Sequence, residues 1–576
     1  MNPAQTFLLV ITASVTTVSA LIPAARAPTH CLIGKPRGSA KLIDASPANG
    51  PAGCVGALAW GSAHDNVTTT GWSTLHVASN ASLADADQAW SAGFFEGAAT
   101  ATRIYQSFVN MQSTSMPDAA TSKFLAANRA WVGAQVAAND KSDKSDDPYW
   151  RHVGLVLAQL DGLAAGYAAH RDPRATRPLS LTDLHVFNAG SDLEDVAAVV
   201  GADGPKAAGR GQSCSALVRL TQDDLFVSQV TWSSYNAMLR AYKRYDLGFG
   251  HGARATSVAF SSYPGFLYSG DDFYLLAHSK MAVQETTIGN SNVTRAAEFI
   301  RPTGTVFDWI RNVVANRLAV DGASWSELFA RYNSGTYNNQ FMVVDYKAFD
   351  QGTGTVKPGA LWVLEQIPGL VESHDMTRVL ARAGYWQSSN EPAFKRVFEQ
   401  SNNTASVDRF GPWFSHDGSP RARIFARDAP KVRTLADMQR LMRYNNFTRD
   451  PLSQCKATAF GDCLPLHASG ENSIAGRSDL NPPDGSYPFP ALGHRNHGAI
   501  DAKITSHGLF FGGGGEGEGE GDGKDKAPWH GPAAVAVAGP TTQGGSTVFK
   551  WSEAGFAGPF VGLPDVWNFT WTTMAF

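Results

Sequence analysis

The stretch GADGPKAAGRGQS, from Gly201 to Ser213, has no apolar period and divides the chain into two unlike parts. A run so rich in Gly and Ala cannot build a core, so it reads as an exposed, cleavable linker. Directly behind it an alternating run begins. In CSALVRL, residues Cys214, Ala216 and Val218 fall on one face, and Ser215, Leu217 and Arg219 on the other. TQDD then supplies a turn, and LFVSQVTW returns as a second strand. A single thiol therefore stands where a flexible connector becomes a buried strand.

On either side of that junction the text differs in kind. Residues 21–85 suggest short strands and turns. From Ala84, ADADQAWSAGFFEGAATATRIYQSFVNMQ spaces Trp90, Phe94, Ala98 and Ile104 at helical intervals, with glycines that permit close packing. SKFLAANRAWVGAQVAAN and YWRHVGLVLAQLDGLAAGYAAH continue as helices, which makes the part before the linker helix-rich. After it, strand-like pieces (SVAFSSY, DFYLLAHSKMAVQETT, NQFMVVDYKAF, ALWVLEQIPG) interleave with helical ones (TVFDWIRNVVANRLA, WSELFARYN, LADMQRLMRYNNF). Such a mixture without strict βαβ alternation predicts an α+β layered core. SSYNAMLRAYKRYDL is expected as a helix with Tyr235, Met238, Leu239 and Tyr242 inward and Arg240, Lys243 and Arg244 on a solvated face. GGGGEGEGEGDGKDK, Gly512 to Lys526, is expected to be a disordered insertion.

The compartment follows from three features. TFLLVITASVTTVSALI is apolar but shorter than a bilayer span and contains Val18-Ser19-Ala20, a small-x-small cleavage pattern, so residues 1–20 read as a signal peptide. Six N-x-[ST] sequons, at Asn66, Asn80, Asn292, Asn402, Asn446 and Asn568, agree with glycosylation on an exported protein. In an oxidising compartment five cysteines leave one over. Four cysteines allow three pairings; the short loop CKATAFGDC favours Cys455 with Cys463, which leaves Cys31 with Cys54 and Cys214 as the odd thiol. A net charge of −3 gives no electrostatic case for nucleic acid.

Several familiar chemistries find no support. There is no G-x-S-x-G elbow, H-E-x-x-H, P-loop or strand-linked G-x-G-x-x-G, and no metal or cofactor is called for. Cys214 offers another route. A cut after Ser213 would place a thiol and an α-amine on one residue, and that amine, with a pKa of about 7.7–8.0, can act as a base near neutrality. The same thiol could make the cut by attacking the Ser213 carbonyl.

The blocks CSALVRL, VTWSSYNAMLRAYKRYDL, FSSYPGFLYSGDDFYLL, QETTIGN, RNVVANRLAVDGASWSELFARYNSGTYNNQFMVVDYKAF, WFSHDGSPRARIF, LMRYNNFTRDPLS, GENSIAGRSDLNPPDGSYPF, HGAIDAKITS and PDVWNF closely resemble the phospholipase B-like (laminin-ancestor) family, in family order from about Ala84 onward. The resemblance implies a four-layer αββα sandwich of the N-terminal-nucleophile hydrolase kind, processing just before the cysteine, and lysosomal or secreted residence. It also implies deacylation of glycerophospholipids, with Cys214 as nucleophile. Related thiol enzymes of this architecture cleave amides.

Where the family commonly reads A-H-[NS]-[ST]-W, this chain reads Ser228-Gln229-Val230-Thr231-Trp232, so Gln229 replaces a titratable His. Trp232 is kept as a candidate pocket wall. Asn339 is the preferred oxyanion donor, with Asn290 and Asn338 as further candidates, and Thr287 could orient the terminal amine. Arg421 could bind a phosphate or carboxylate, or pair with Asp417 or Asp479. His497 and Asp501 suggest a buried pair. The chain is thus expected as fragments 21–213 and 214–576 that stay associated, acting on phospholipid or another acylated small molecule, with transient contact at a membrane surface. The alternatives are an N-acyl amide hydrolase with the same nucleophile, and a weakly active lipid- or glycan-binding lysosomal protein.

Overall fold

The computed structural model describes residues 29–46, 53–112, 116–141, 147–173, 175–201, 204–205, 213–250, 257–454, 468–487, 489–512 and 531–576. The leader, the linker apart from Gly201, Gly204, Pro205 and Ser213, the pair Cys455 and Cys463, and the acidic insertion past Gly512 lie outside the described residues.

Four strands open the chain: β1 (His30–Ile33), β2 (Lys41–Asp44), β3 (Ala59–Asn66) and β4 (Trp72–Ser79). Cys31 and Cys54 are joined in a disulfide beneath them, their Cα atoms 5.5 Å apart. Then come six helices, α1 (Asp85–Ala99), α2 (Ala101–Gln112), α3 (Ala119–Asp140), α4 (Pro148–His170), α5 (Leu181–Asn188) and α6 (Gly190–Val200). Their starts are written locally. Asp118 caps α3 and Asp147 caps α4 ahead of Pro148, while Ser180 and Asp183 form a capping box on α5.

After the linker the strands β5 (Ser213–Leu220), β6 (Leu225–Ser233), β7 (Arg240–Asp246), β8 (Ser257–Ser262), β9 (Phe273–Leu276), β10 (Met281–Thr287), β11 (Asn339–Asp345), β12 (Leu361–Ile367), β13 (Leu370–Asp375), β14 (Tyr385–Ser388), β15 (Asp501–Ser506), β16 (Ala534–Ala538) and β17 (Thr572–Met574) build two sheets. One has eleven strands in the order β13-β12-β11-β10-β9-β8-β7-β4-β3-β1-β2. The other runs β14-β5-β6-β15-β16-β17, with Gly498–Ala499 also pairing with β6. Neighbours are antiparallel except β4 and β7, which are parallel from Trp72↔Arg240 to Ala78↔Asp246. The larger sheet therefore joins strands from both sides of the linker.

The alternation in β5 sorts its side chains as the sequence suggests. Ala216 and Val218, with Val227 of β6, join a core shared with Ala259, Leu275, Ala282, Met342 and Val344 of the larger sheet. Leu217, Phe226 and Val230 pack the other way, against Ile424 and Phe425 of α7 (Pro420–Asp428) and Met438 and Leu441 of α8 (Leu435–Met442). The larger sheet's far face buries Val77, Tyr274, Val283 and Phe341 against Trp90 and Phe94 of α1 and Leu155 of α4.

One element departs from the sequence reading. SSYNAMLRAYKRYDL is not a helix: a 3-10 turn at Tyr235–Ala237 leads into strand β7. Arg240 and Lys243, expected on a solvated face, are 0% and 1% exposed. Arg240 meets Asp271 and Asp501, and Lys243 meets Glu96, all from other segments, and this pairing offsets the cost of burying the two charges in a central strand.

Candidate active site

Cys214 is the second residue of β5 and pairs with Thr231 of β6. It is the only free cysteine among the described residues and is wholly buried. By strand alternation it shares a face with Ala216, toward the larger sheet. Strand β10 crosses β5 above Ala216. On one side the Gln229 amide donates to the Glu285 carbonyl at 2.8 Å; on the other, the hydroxyls of Thr286 and Ser388 lie 2.6 Å apart, and Gln229 and Ser388 both pair with Ala216. The small side chain of Ala216 leaves room for that crossing.

Next to the thiol lies a buried quartet of charges. Arg240 donates from Nε to Asp501 at 2.8 Å and from Nη2 to Asp271 at 2.6 Å. Lys503 Nζ donates to Asp271 at 2.6 Å, to Asp501 at 2.8 Å, and to the Thr231 hydroxyl. Thr231 Oγ1 in turn donates to Asp271 at 2.6 Å. All four charged side chains are 0% exposed. Burial alone would raise the Asp271 carboxyl, but Arg240 and Lys503 outweigh it and hold the group below the ordinary carboxylate range. The Arg240 guanidinium also lies 4.1 Å from the Tyr263 ring centroid.

A second group, Asp272, Glu285 and Asp308, meets one cation, Arg311, whose Nη2 lies 3.5 Å from the Asp308 carboxylate. Burial pushes all three carboxyls up, neighbouring aspartates add to this in each, and Arg311 offsets only part of it at Asp308. Asp272 within this group and Tyr337 at its border have left-handed backbones with φ of 45° and 48°. Burial likewise pushes the Cys214 thiol well above its ordinary range; Glu285 adds to the rise, while the Trp232 main-chain N–H and Lys503 oppose it.

The residues singled out from sequence fall in distinct places. Gln229 donates to the main-chain carbonyls of Asp271 and Glu285, tying the two sheets together beside Cys214. Trp232 lies on the outward face of β6; its Nε1 donates to the Ile474 carbonyl at 3.1 Å. The Arg421 guanidinium lies 4.7 Å from the Trp232 ring centroid. It donates to the carbonyls of Cys214 at 2.6 Å and Ser389 at 2.9 Å. Asp417 and Asp479 are engaged instead with His416 and Arg477. Thr287 and Asn339 are directly opposite each other on β10 and β11. Thr287 Oγ1 and both ends of the Asn339 amide are buried without a protein hydrogen-bond partner, an arrangement that costs free energy unless a further group completes it. Asn290 accepts from the Asn292 N–H at 3.2 Å, a turn contact. Asp501 holds Arg240 and Lys503 in place of the suggested pairing with His497.

Of the sequon asparagines, Asn402 and Asn568 are exposed, and Asn66 and Asn446 are half-buried. Asn80 and Asn292 donate from Nδ2 to the Ala57 and Gln400 carbonyls. Ser213 is the first residue of β5. Among the described residues no three His, Cys, Asp or Glu side chains are grouped to hold a metal ion, and no helix is long and apolar enough to cross a membrane.

Of the quartet the sequence reading singled out only Asp501, and Glu285 escaped it. The available signal was adjacent charge in apolar text: Asp271 and Asp272 in SGDDFYLL, and Lys503 in IDAKITS.

A protein-family model described as Phospholipase B matches residues 59–574. The chain is 42% identical over 536 residues to the Bos taurus protein named "Putative phospholipase B-like 2", covering 89% of this chain and 85% of that one. It is 40% identical over 532 residues to the Homo sapiens protein of the same name, with 89% and 85% covered. To the phospholipase B-like 1 relative of Caenorhabditis elegans it is 37% identical over 560 residues, covering 94% and 91%.

Proposed function

The chain belongs to the phospholipase B-like family, and from that premise we propose that it is a self-processing thiol hydrolase that deacylates glycerophospholipids. The observation that carries this reading is the position of Cys214: free, buried, and one residue into a central strand directly behind the linker. The two facing sheets with helices beyond them support a four-layer N-terminal-nucleophile sandwich, in which the nucleophile begins such a strand.

In the first step the Cys214 sulfur attacks the Ser213 carbonyl carbon. The carbon–nitrogen bond breaks, the nitrogen takes a proton and becomes the α-amine, and water hydrolyses the Ser213 thioester. The amine then takes the thiol proton as sulfur attacks a fatty-acyl carbonyl, and gives it to the leaving glyceryl oxygen. Water cleaves the acyl-thioester and restores the thiol. The unpartnered Asn339 amide supports its role as oxyanion donor, and the Thr287 hydroxyl opposite it suits the new amine. Arg421 holds the Cys214 carbonyl and so fixes the terminus. The leader and the sequons support residence in a lysosome or outside the cell, as a glycoprotein of two associated fragments.

N-terminal sequencing of the mature protein tests this. One terminus is expected at Cys214, and Cys214→Ala should abolish both that terminus and fatty-acid release from phosphatidylcholine. A wild-type chain left intact after prolonged incubation at acid pH would overturn it. Matched ester and amide substrates separate lipase from amidase.

Gln229 favours a second reading, a processed lipid-binding protein of low turnover. Its amide is committed to two main-chain carbonyls and cannot titrate. Gln229→His should raise turnover in a hydrolase and leave a binding protein unchanged.

A further inference from the structure

The α-amine serves as base only after the chain has been cut, yet the cut itself needs a reactive sulfur. Before it, the Cys214 nitrogen is an amide and cannot take a proton from the thiol. Something else in the intact chain has to favour the thiolate.

The side chain nearest to Cys214 by strand register is Thr231, its direct partner across β5 and β6; residues so paired have Cβ atoms roughly 4.5–5.5 Å apart. The Thr231 hydroxyl is not a passive neighbour. It accepts from Lys503 Nζ and donates to Asp271 at 2.6 Å. Lys503 lies on β15 opposite Gln229, on the same inward face, so its ammonium reaches along β6 to the hydroxyl beside the thiol. Arg240 bonds both Asp271 and Asp501, and Lys503 balances the second of these buried charges while also reaching the Thr231 hydroxyl. Burial opposes ionisation of the thiol most, Glu285 and Asp271 add to it, and the Trp232 N–H and Lys503 favour the thiolate, while the Tyr263 and Tyr337 side chains also face the sulfur. Lys503 is thus the cation that counters two buried carboxylates at the nucleophile. Lys503 itself faces Asp271 from the loop before β9, Asp501 on its own strand, Arg240 across the quartet through those acids, and the Phe273 ring at 5.9 Å.

From this placement we infer that Thr231 and Lys503 are a positioning pair for Cys214: the hydroxyl anchors the ammonium at the thiol's side, where its charge stabilises the thiolate that cuts the chain. The inference rests on the Cys214 reading above and assigns that site a part which the cysteine and its own amine do not supply. It also accounts for the lysine's setting. Two acids fix its charge, and the threonine directs it.

The test is a pH titration of the thiol in the full-length chain, followed by ultraviolet thiolate absorbance against Cys214→Ala as blank, alongside the pH dependence of cutting at Cys214. An opposite charge at this range moves a neighbouring group by about 1–3 pH units. Lys503→Met should therefore shift the thiol midpoint upward by that amount and slow cutting at least tenfold at fixed pH; Lys503→Arg should retain most of the midpoint. Should Lys503→Met not fold, Thr231→Val and Thr231→Ser carry the test: Val shifts the midpoint upward and slows cutting, and Ser restores both. A folded Lys503→Met, or a folded Thr231→Val, with the wild-type midpoint and cutting rate overturns the inference. If instead Cys214→Ala is cut at the same bond, the reading of Cys214 as nucleophile fails, whereas the titration still reports on the pair.

Discussion

Arg421 sits behind Cys214 with its guanidinium against main-chain oxygens rather than an anion. Two carbonyls, of Cys214 and Ser389, depend on it, and it lies against the Trp232 ring. Arg421→Met would leave both carbonyls without this donor in a site that is 6% exposed. Loss of a charged donor to a buried acceptor costs about 1–3 kcal/mol, so urea unfolding should show a drop of that size. Lys in its place offers no rigid fork for two carbonyls and should recover only part. Cutting at Cys214 should slow in both variants because the strand start is less firmly held. At this scale the sequence was legible where the signal is local. The thiol at a linker–strand junction, the inward set Cys214, Ala216 and Val218, and the turn at Thr221–Asp224 all follow from neighbouring residues. The charges around the thiol were not legible, because Arg240, Asp271, Asp501 and Lys503 come from three separated segments and have meaning only once these are brought together.

Helices α1 and α4 pack more closely than side chains would allow, and glycine makes that possible. A Cβ at Gly93 would lie 1.9 Å from the Gln159 carbonyl oxygen, at Gly97 2.1 Å from that of Leu163, at Gly162 2.0 Å from that of Trp90, and at Gly166 2.1 Å from that of Phe94. Each contact is with backbone, which cannot turn aside. Gly162→Ala should therefore separate the helices and lower stability by about 1–3 kcal/mol or more. Gly133 in α3 has nothing within 4 Å of its would-be Cβ, and there the same change should stabilise by up to about 1 kcal/mol. Thermal unfolding of the two variants should move in opposite directions; a shared sign would contradict the close-contact account. The glycine-bearing helix was readable from spacing alone. Strand β7 was not. In the segment that leads into and forms it, Tyr235, Met238, Leu239 and Tyr242 fit a helical stripe, and the lysine and arginines resemble a wet face. Lys243 bonds Glu96 of α1 at 2.6 Å, a partner 147 residues away that no local window contains.

At the scale of the whole molecule, the cut proposed before Cys214 would not divide the fold. Strands β3 and β4 precede the linker, yet β4 pairs along its length with β7, and Asn110 and Arg103 bond the main chain at Val561 and Gly562. The fragments should co-elute in native gel filtration and separate only in denaturant. Acidity is the other whole-molecule variable, and the signs decide its effect. Asp192, Asp272, Glu285, Asp308 and Glu365 are pushed upward by burial, Glu365 from 4.5 to about 7. A carboxyl raised in the folded state binds its proton there at a pH where the unfolded chain does not. Its contribution is complete below the unfolded value and is lost as pH rises through the folded one. His152 and His185 act in the opposite direction: burial lowers them from 6.5 to about 3 and about 4, so acid favours the unfolded chain below 6.5. Asp271, held low by its cations, matters only in stronger acid. Between about pH 8 and pH 5 the five carboxyls outweigh the two imidazoles. Tm should therefore rise as pH falls across that window, and turn downward in stronger acid once the carboxyls are protonated in both states and the histidine penalty remains. A Tm that instead fell steadily from pH 8 to pH 5 would mean that these carboxyls are ionised in the fold, against the upward push of burial.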